Sequence, residues 1–309
     1  MVEKKIIESY GKYGRVLSIS NGTIEAYVTI DMGPRIIRFG RVNGQNFMRN
    51  SDDLMFKKTD DEFTKLFGDG KYWQNLGGHR IWASPEKWPE TYYPDCDPVQ
   101  YTETEDGAIF TPNEEKELGL QKQLLVEIVN GKLKVENRIK NTLKTPQTYS
   151  VWALSVSNVG GTLIIPMNRN NTGLLSNRTI MVWPYTDLSD DRIFFGQKYI
   201  TLRQDVDATT PIKLGLDLNQ GTVYYVLNEQ VFKKVYSQYH PTAAYPDNNV
   251  SFETYTNNDF IEIETLSPIK EVAPGEWLTS SEEWSVYDKP CKVDFKDNDS
   301  IDGFVKGIE

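Results

Sequence analysis

The chain has 309 residues, of which 39% are hydrophobic and 25% charged, and this composition excludes an intrinsically disordered protein. The formal net charge of −10 argues against a nucleic-acid partner, because phosphate binding uses clustered Lys and Arg side chains. The two cysteines, Cys96 and Cys291, are too few for a disulfide framework or a structural zinc site.

No stretch of the sequence approaches the roughly 20 apolar residues of a membrane helix, and the first residues lack the apolar run of a signal peptide. We therefore expect no membrane partner and a cytoplasmic location. The sequence leaves the oligomeric state open. Aromatic residues make up 12% of the chain, which suits a β-protein or a surface on which flat ligand faces stack.

Predicted strands follow one another along most of the chain. The first two lie in residues 15–30 around an Asn21-Gly22 pair, which is a strong signal for a hairpin turn. Residues 35–42 predict a third strand, and residues 119–141 repeat the hairpin pattern around Asn130-Gly131. Further predicted strands lie at 148–158, 161–168, 179–185, 221–228, 230–239, 250–257 and 259–267.

Helical signal is sparse. Residues 52–68 could supply one or two short helices. The C-terminal residues loosely match the spacing of a calcium loop, but Ile301, Phe304, Val305 and Ile308 fall on one helical face. We therefore predict a short helix near 299–308. Because no repeat or linker divides the chain, the sequence predicts an all-β fold, a sandwich or barrel, in a single domain over 1–309.

Residues 75–95, NLGGHRIWASPEKWPETYYPD, combine residue types that few core strands need. The Gly77-Gly78 pair permits close backbone approach, and His79 and Arg80 offer hydrogen-bond donors. Tryptophans and tyrosines, Trp82 among them, offer stacking faces, and three prolines indicate a long loop. This mixture predicts a binding site. The alternative is a structural loop whose rings plug the end of a sandwich.

Two other stretches place carboxylates beside possible ligand contacts. In the strand 259–267, Glu262 and Glu264 point to one face and the neighbouring isoleucines to the other. Such a pair can serve a sugar or a general base, or can simply be a solvated face. The loops at 181–192 and 245–247 combine aromatic rings with acidic groups, which is typical of sugar recognition but also of ordinary turns.

Together these motifs resemble the galactose mutarotase-like superfamily, which contains the aldose 1-epimerases. The similar stretches extend over nearly the whole chain, and the sequence is more narrowly similar to a bacterial branch marked by GGHR, WPYTDL, YPD and ETLSP. The stretches that carry the similarity lie at 31–40, 77–86, 134–141, 183–188, 245–247, 260–268 and 273–287. The resemblance implies a single-domain β-supersandwich with few short helices, a small-molecule carbohydrate as ligand, and neither a metal nor a cofactor.

The resemblance also implies roles for individual residues. Mutarotases use a glutamate in a Glu-Thr-Gln motif as general base, and the similar ETLSP assigns this role to Glu264. Their general acid is a mid-chain histidine, and at the matching position this chain has Trp152. His79 or His240 could substitute, and His79 is favoured by its place in GGHR.

The function that follows is that of a carbohydrate-binding mutarotase-like protein. The alternative is an active sugar epimerase, an isomerase with Glu264 as base and His79 as acid, and a third option is a structural interaction domain. Three cations in the expected site favour an anionic sugar such as a uronate or a sugar phosphate. The expected substrate-binding residues are Arg35, Arg80, Trp82, Glu86, Trp152, Trp183, Lys213 and Asp247.

Overall fold

The fold is described from a computed structural model of the chain. The structure describes residues 1–50, 57–237, 239–289 and 292–308. Cys291 and residues 52–56 of the predicted helical segment lie outside the described residues.

Strands make up most of the regular structure, so the predicted all-β class is confirmed. The first twelve strands are β1 (Glu3–Ile7), β2 (Val16–Ser20), β3 (Ile24–Thr29), β4 (Ile36–Arg41), β5 (Lys57–Lys58), β6 (Trp73–Gln74), β7 (Gly78–Ser84), β8 (Gln100–Glu103), β9 (Gly107–Thr111), β10 (Leu120–Val129), β11 (Lys132–Asn141) and β12 (Gln147–Ser157). The later strands are β13 (Thr162–Pro166), β14 (Ile180–Val182), β15 (Ile193–Phe195), β16 (Tyr199–Arg203), β17 (Ile212–Leu216), β18 (Thr222–Leu227), β19 (Gln230–Tyr236), β20 (Phe252–Thr256), β21 (Ile261–Leu266), β22 (Lys270–Val272) and β23 (Trp277–Asp288).

The helices of the described residues are short. They are α1 (Asp61–Phe67), the single turn α2 (Pro246–Asn249) and α3 (Asn298–Lys306), together with 3₁₀ turns at Gly11–Tyr13 and Glu90–Tyr92. In α3 the side chain of Asp297 accepts a hydrogen bond from the Ser300 N–H at 2.6 Å and caps the first turn. The buried residues of α3 pack on the outer side of β13, β18 and β19.

The Asn-Gly pairs form turns where the sequence predicts them. Asn130 and Gly131 both have positive φ, at 52° and 77°, and join β10 to β11. Asparagine and glycine tolerate this conformation best, which is why the pair marks tight hairpins. The turn fixes the register of ten paired residues on each strand, with Val126 opposite Val135.

Two large antiparallel sheets contain nearly all the strands. The first sheet has the order β1-β2-β3-β4-β7-β12-β21-β20-β17-β14, and β22 also pairs with β12. The second has the order β15-β16-β13-β18-β19-β23-β11-β10-β9-β8, while β5 and β6 form a separate hairpin. Neighbouring strands of the sheet such as β7 and β12 lie far apart in the chain, so the centre of the first sheet is built from distant segments.

The main apolar core lies between these two sheets. Ile263 of β21 and Val151 of β12 contribute from the first sheet, and Val135 and Trp284 from the second. Successive side chains of a strand point to opposite faces. The alternate residues of β7, β12 and β21 therefore project from the outer face of the first sheet, away from the second sheet.

The division into domains stays a prediction from the sequence. Among the described residues, no helix combines the length and the apolar character needed to cross a membrane.

Candidate functional site

An aromatic cluster covers the centre of the outer face of the first sheet. Trp82 of β7 lies directly opposite Trp152 of β12 in the ladder, and their ring centroids are 5.3 Å apart. Trp73, from the β5–β6 hairpin, and Tyr92, from the loop after β7, pack on Trp82 at 5.7 and 4.8 Å. The segment 75–95 therefore crosses from the sheet into a loop that folds back over it.

A cavity of about 240 Å³ opens beside this cluster. This volume is slightly below the roughly 300 Å³ at which sites for drug-sized molecules begin, so the cavity suits a small ligand. Aromatic faces and charged groups share its wall. The lining residues are Lys58, Trp73, Asn75, Arg80, Trp82, Glu86, Tyr92, Trp152, Leu154, Tyr185, Lys213, Tyr255, Phe260 and Glu262.

Arg80 and Glu262 form an ion pair in the cavity wall. The Arg80 Nη2 atom lies 3.2 Å from Glu262 Oε1, and the guanidinium stacks 4.3 Å from the Trp82 ring centroid. The Nε and Nη1 atoms of Arg80 have no hydrogen-bond partner among the described residues. Arg80 is 3% exposed, so its position is fixed while part of its donor capacity is unused.

Lys213 is the second buried cation of the wall. Its Nζ lies 2.8 Å from Glu253 Oε2 and 3.5 Å from Glu264 Oε2, and it also lies over the rings of Trp152 and Trp183 at 5.0 and 4.6 Å. Burial lowers the pKa of Lys213, but the two carboxylates outweigh burial and raise that pKa above its ordinary value. The ammonium is therefore charged at neutral pH.

Glu264 lies beneath the cavity wall and does not line the cavity. Its side chain has no exposed surface, and its Oε2 accepts a hydrogen bond from the Trp152 indole N–H at 2.8 Å. Burial raises the pKa of Glu264 to about 7, although Lys213 acts in the opposite direction. The predicted general base is thus a buried group that contacts two wall residues, Trp152 and Lys213.

His79 does not line the cavity either, contrary to the expectation that it lies in one site with Arg80 and Glu264. It alternates along β7 with Arg80 and Trp82, so its side chain points into the sandwich instead. There its ring nitrogens make 2.8 Å hydrogen bonds with Ser155 Oγ and Asn137 Oδ1. Burial lowers the pKa of His79 to about 4, so the ring is neutral at neutral pH.

We expect His79→Leu to lower the free energy of unfolding by about 1–3 kcal/mol, because it removes two buried hydrogen bonds and leaves the Asn137 amide oxygen without a partner. Urea unfolding measures this change. His240→Leu is the control, since His240 is exposed in a loop, and it should change the stability by less than about 0.5 kcal/mol. Equal losses in both variants would contradict a structural role for His79.

Three further residues that the sequence assigns to the site, Glu86, Asp247 and Arg35, differ in their position relative to the cavity. Glu86 lines the cavity and accepts a hydrogen bond from the Tyr92 hydroxyl. Asp247 lies in the turn α2, close enough for its charge to raise the pKa of Glu253. Arg35 is fully buried and makes an ion pair with Asp95 at 2.8 Å, outside the wall of this cavity.

The Gly77-Gly78 pair serves strand packing. Gly78 has a φ of +67°, and a Cβ atom there would lie 2.6 Å from the Ile36 carbonyl oxygen of β4. A side chain at position 78 would push β4 and β7 apart. The pair therefore sets the close approach that places Arg80 and Trp82 on the outer face.

The sequence has no significant match to a protein-family model or to a curated protein. Solved structures do share the architecture. A galactose mutarotase-like protein from Lactobacillus casei superposes with a TM-score of 0.55 at 9% identity, covering 88% of this chain and 100% of that one. A galactose mutarotase-like protein from Clostridium acetobutylicum superposes with a TM-score of 0.54 at 13% identity, covering 93% of this chain and 98% of that one. A proposed aldose 1-epimerase from Escherichia coli K12 superposes with a TM-score of 0.52 at 11% identity, covering 88% of this chain and 99% of that one. The fold is that of the galactose mutarotase-like proteins.

In this galactose mutarotase-like fold, sequence reasoning missed several residues of the cavity. Glu262 was noted only as a partner of Glu264 in the strand pattern, and Tyr185 only as part of WPYTDL. Glu253 could be found only from the ladder, because β20 places it directly opposite Glu264 of β21. Tyr92 was expected only as one of the stacking faces of segment 75–95. The lining residues that were missed are Lys58, Trp73, Asn75, Leu154, Tyr185, Tyr255, Phe260 and Glu262.

Proposed function

We propose that this protein binds a carbohydrate in the cavity on the outer face of the first sheet and that it is not an aldose 1-epimerase. The observation that carries the binding proposal is the combination of tryptophan rings with the Arg80–Glu262 pair in one wall. Aromatic rings pack against the C–H faces of sugars, while charged hydrogen-bonding groups contact the hydroxyls. Trp82 and Trp152 are already held in place by ring contacts.

The position of Glu264 argues against the epimerase alternative. A general base must come within hydrogen-bonding reach of the proton that it removes. The Glu264 carboxylate has no exposed surface and does not line the cavity, although it contacts two residues that do, Trp152 and Lys213. The proposed acid, His79, points to the opposite face of the same sheet. Neither partner of an acid–base pair reaches the sugar in this arrangement.

The anionic sugar expected from the sequence has less support than a neutral one. Arg80 and Lys213 do line the cavity, but Glu262 contacts the first and Glu253 and Glu264 contact the second. Arg35, the third expected cation, is paired with Asp95 elsewhere. We infer that the ligand is a neutral sugar, and that any preference for a negative charge would come from Lys58 at the cavity edge.

The test is a binding screen of neutral hexoses, hexuronates and hexose phosphates, followed by tryptophan fluorescence and calorimetry. Arg80→Gln should weaken the binding of the best ligand by about tenfold or more, because a charged hydrogen bond is worth about 1.5–3 kcal/mol. Arg15→Gln is the control, since Arg15 is a surface residue paired with Asp31, and it should leave affinity unchanged. Thermal unfolding of both variants checks that each is folded.

Anomer exchange, measured by nuclear magnetic resonance, separates the two functions. The protein should not accelerate exchange of any sugar that it binds. Acceleration that disappears in Glu264→Gln would restore the epimerase alternative. A screen in which no sugar binds would refute the proposed function.

A further inference from the structure

A second cavity, of about 190 Å³, lies on the other side of the loop that follows β7. Trp82, Glu86 and Tyr92 of this segment line the first cavity, whereas Ser84, Lys87 and Thr91 line the second. The loop 84–92 is thus a wall shared by both cavities. The opposite wall of the second cavity comes from residues 115–122 and from the start of β12.

This second cavity is bordered by a buried ion pair. Glu115 and Lys122 are only 4% and 9% exposed, and Lys122 Nζ lies 2.6 Å from Glu115 Oε1. The other carboxylate oxygen, Oε2, has no hydrogen-bond partner among the described residues, and neither does the hydroxyl of Ser84, which is 1% exposed. Buried polar atoms without partners cost free energy. A ligand that supplies hydrogen-bond donors in this cavity would therefore offset the cost of burying Glu115 Oε2 and the Ser84 hydroxyl.

The charges around the cavity restrict what could supply those donors. The lining carries two cations and two carboxylates: a cation would meet Lys87 and Lys122, the second of which already pairs with Glu115, and an anion would meet Glu115 and Glu90. A metal ion is also disfavoured, because the described part of the chain contains no cluster of three His, Cys, Asp or Glu side chains suited to a metal. A neutral molecule rich in hydroxyl groups avoids all three conflicts.

We propose that the second cavity binds a neutral polyhydroxyl molecule the size of one sugar ring. Its hydroxyls donate to Glu115 and exchange a hydrogen bond with Ser84, and its C–H face packs on Leu118 and Tyr149. The volume of the cavity suits one ring, because sites for larger ligands exceed about 300 Å³. This site is separate from the first cavity and does not require it to be occupied.

The experiment is a titration of the full-length, ¹⁵N-labelled protein with glucose, galactose, mannose and xylose, each to a concentration of tens of millimolar. Backbone signals of Lys87, Gln147 and Thr148 report on the second cavity, and the indole signals of Trp82 and Trp152 report on the first. At least one sugar should shift the backbone signals of Lys87, Gln147 and Thr148 in a saturable manner. Glucosamine and glucuronate, which carry opposite charges, should bind the second cavity more weakly than glucose.

Two variants test the assignment. Ser84→Ala should weaken binding at the second cavity about three- to tenfold, the loss of one hydrogen bond, while the stability of the fold is unchanged or higher. Leu118→Trp should fill the cavity and abolish these shifts. Val129→Trp is its control, because Val129 is a partly exposed apolar residue at the far end of β10, and it should leave the shifts unchanged.

Several results would overturn this second site while leaving the proposed function standing. They are shifts confined to the two indoles, shifts near Thr148 that persist in Leu118→Trp, and preferential binding of glucosamine. Shifts near Thr148 without any at the indoles would support the second site and refute sugar binding in the first cavity. No shift with any of the sugars would overturn both.

Discussion

Glu282→Ala is expected to lower the free energy of unfolding by about 3–5 kcal/mol, because it leaves the charge of Lys234 buried without a counter-ion. Glu282 and Lys234 are 2% and 0% exposed and lie in the interior between the two sheets, 3.2 Å apart. The Glu282 carboxylate also accepts hydrogen bonds from Thr265 at 2.5 Å and from the Trp284 indole at 2.7 Å. The substitution therefore removes the counter-ion of Lys234 and the acceptor of Thr265 and Trp284 at one point.

The neighbouring residue on β23 supplies the control. Glu283 points to the other face of the strand, pairs with Lys132 at 2.6 Å, and has a side chain that is 46% exposed. Glu283→Ala should cost less than about 1 kcal/mol, since exposed ion pairs contribute little. Urea unfolding of the two variants gives the comparison. Similar losses would show that burial of the Glu282–Lys234 pair is not what makes it important.

This buried cluster connects the two sheets beneath the cavity. Lys234 Nζ of β19 donates to Ser155 Oγ of β12 at 2.8 Å and to the Ile263 carbonyl of β21 at 3.1 Å. Ser155 in turn contacts His79, which reaches Asn137 of β11. A polar network with defined partners favours one registration of the sheets over others. The strands that carry Arg80, Trp152 and Glu262 are thereby held in position from behind.

The fold was predictable because its signals are local. Asn-Gly pairs mark hairpins through the positive φ that both residues accept, and alternation placed Glu262 and Glu264 on one face of β21. The same alternation in GHRIWAS separates His79 from Arg80 and Trp82. The expectation that His79 lines the site arose because three prolines made residues 75–95 look like a loop throughout, whereas the first ten of these residues contain the whole of β7.

The details of the site depend on strand order, which the sequence does not state. Lys213 meets Glu253 and Glu264 because β17, β20 and β21 are adjacent and in a particular register. Likewise, β7 lies beside β12 although 62 residues separate their facing ends. A charged residue on an isolated strand gives no indication of which distant carboxylate will neutralise it. The sequence pattern predicts which side chains face outward, but it does not predict which residues of distant strands they contact.

Glu264→Gln is expected to remove much of the loss of stability that the protein undergoes as pH rises from about 5 to 8. Burial raises the pKa of Glu264 from its ordinary value of 4.5 to about 7. Between these two values the folded protein keeps a proton that the unfolded chain has released. The group therefore stabilises the fold fully below pH 4.5, and this contribution is lost as pH rises through 7. One pKa unit corresponds to about 1.4 kcal/mol, so the loss is roughly 3 kcal/mol.

The measurement is the free energy of unfolding of both proteins at several pH values between 5 and 8. Their difference cancels the contributions of other groups, including His79, whose lowered pKa acts with the opposite sign. Glu271→Gln, on the exposed edge strand β22, is the control and should keep the wild-type slope. A Glu264→Gln protein with that same slope would show that Glu264 is ionised throughout the range, as a solvent-accessible base would be.

The same variant also tests what Glu264 does in the site. A glutamine keeps an oxygen that can accept the Trp152 indole N–H, but it removes the negative charge beside Lys213. If Glu264 supports these two wall residues, sugar affinity should change by only a few-fold, because Glu253 still pairs with Lys213 at 2.8 Å. If it were the base of an epimerase, turnover would fall by about 10²-fold or more while binding survived. The contrast follows from one structural fact, that the buried carboxylate contacts Trp152 and Lys213 but does not itself line the cavity.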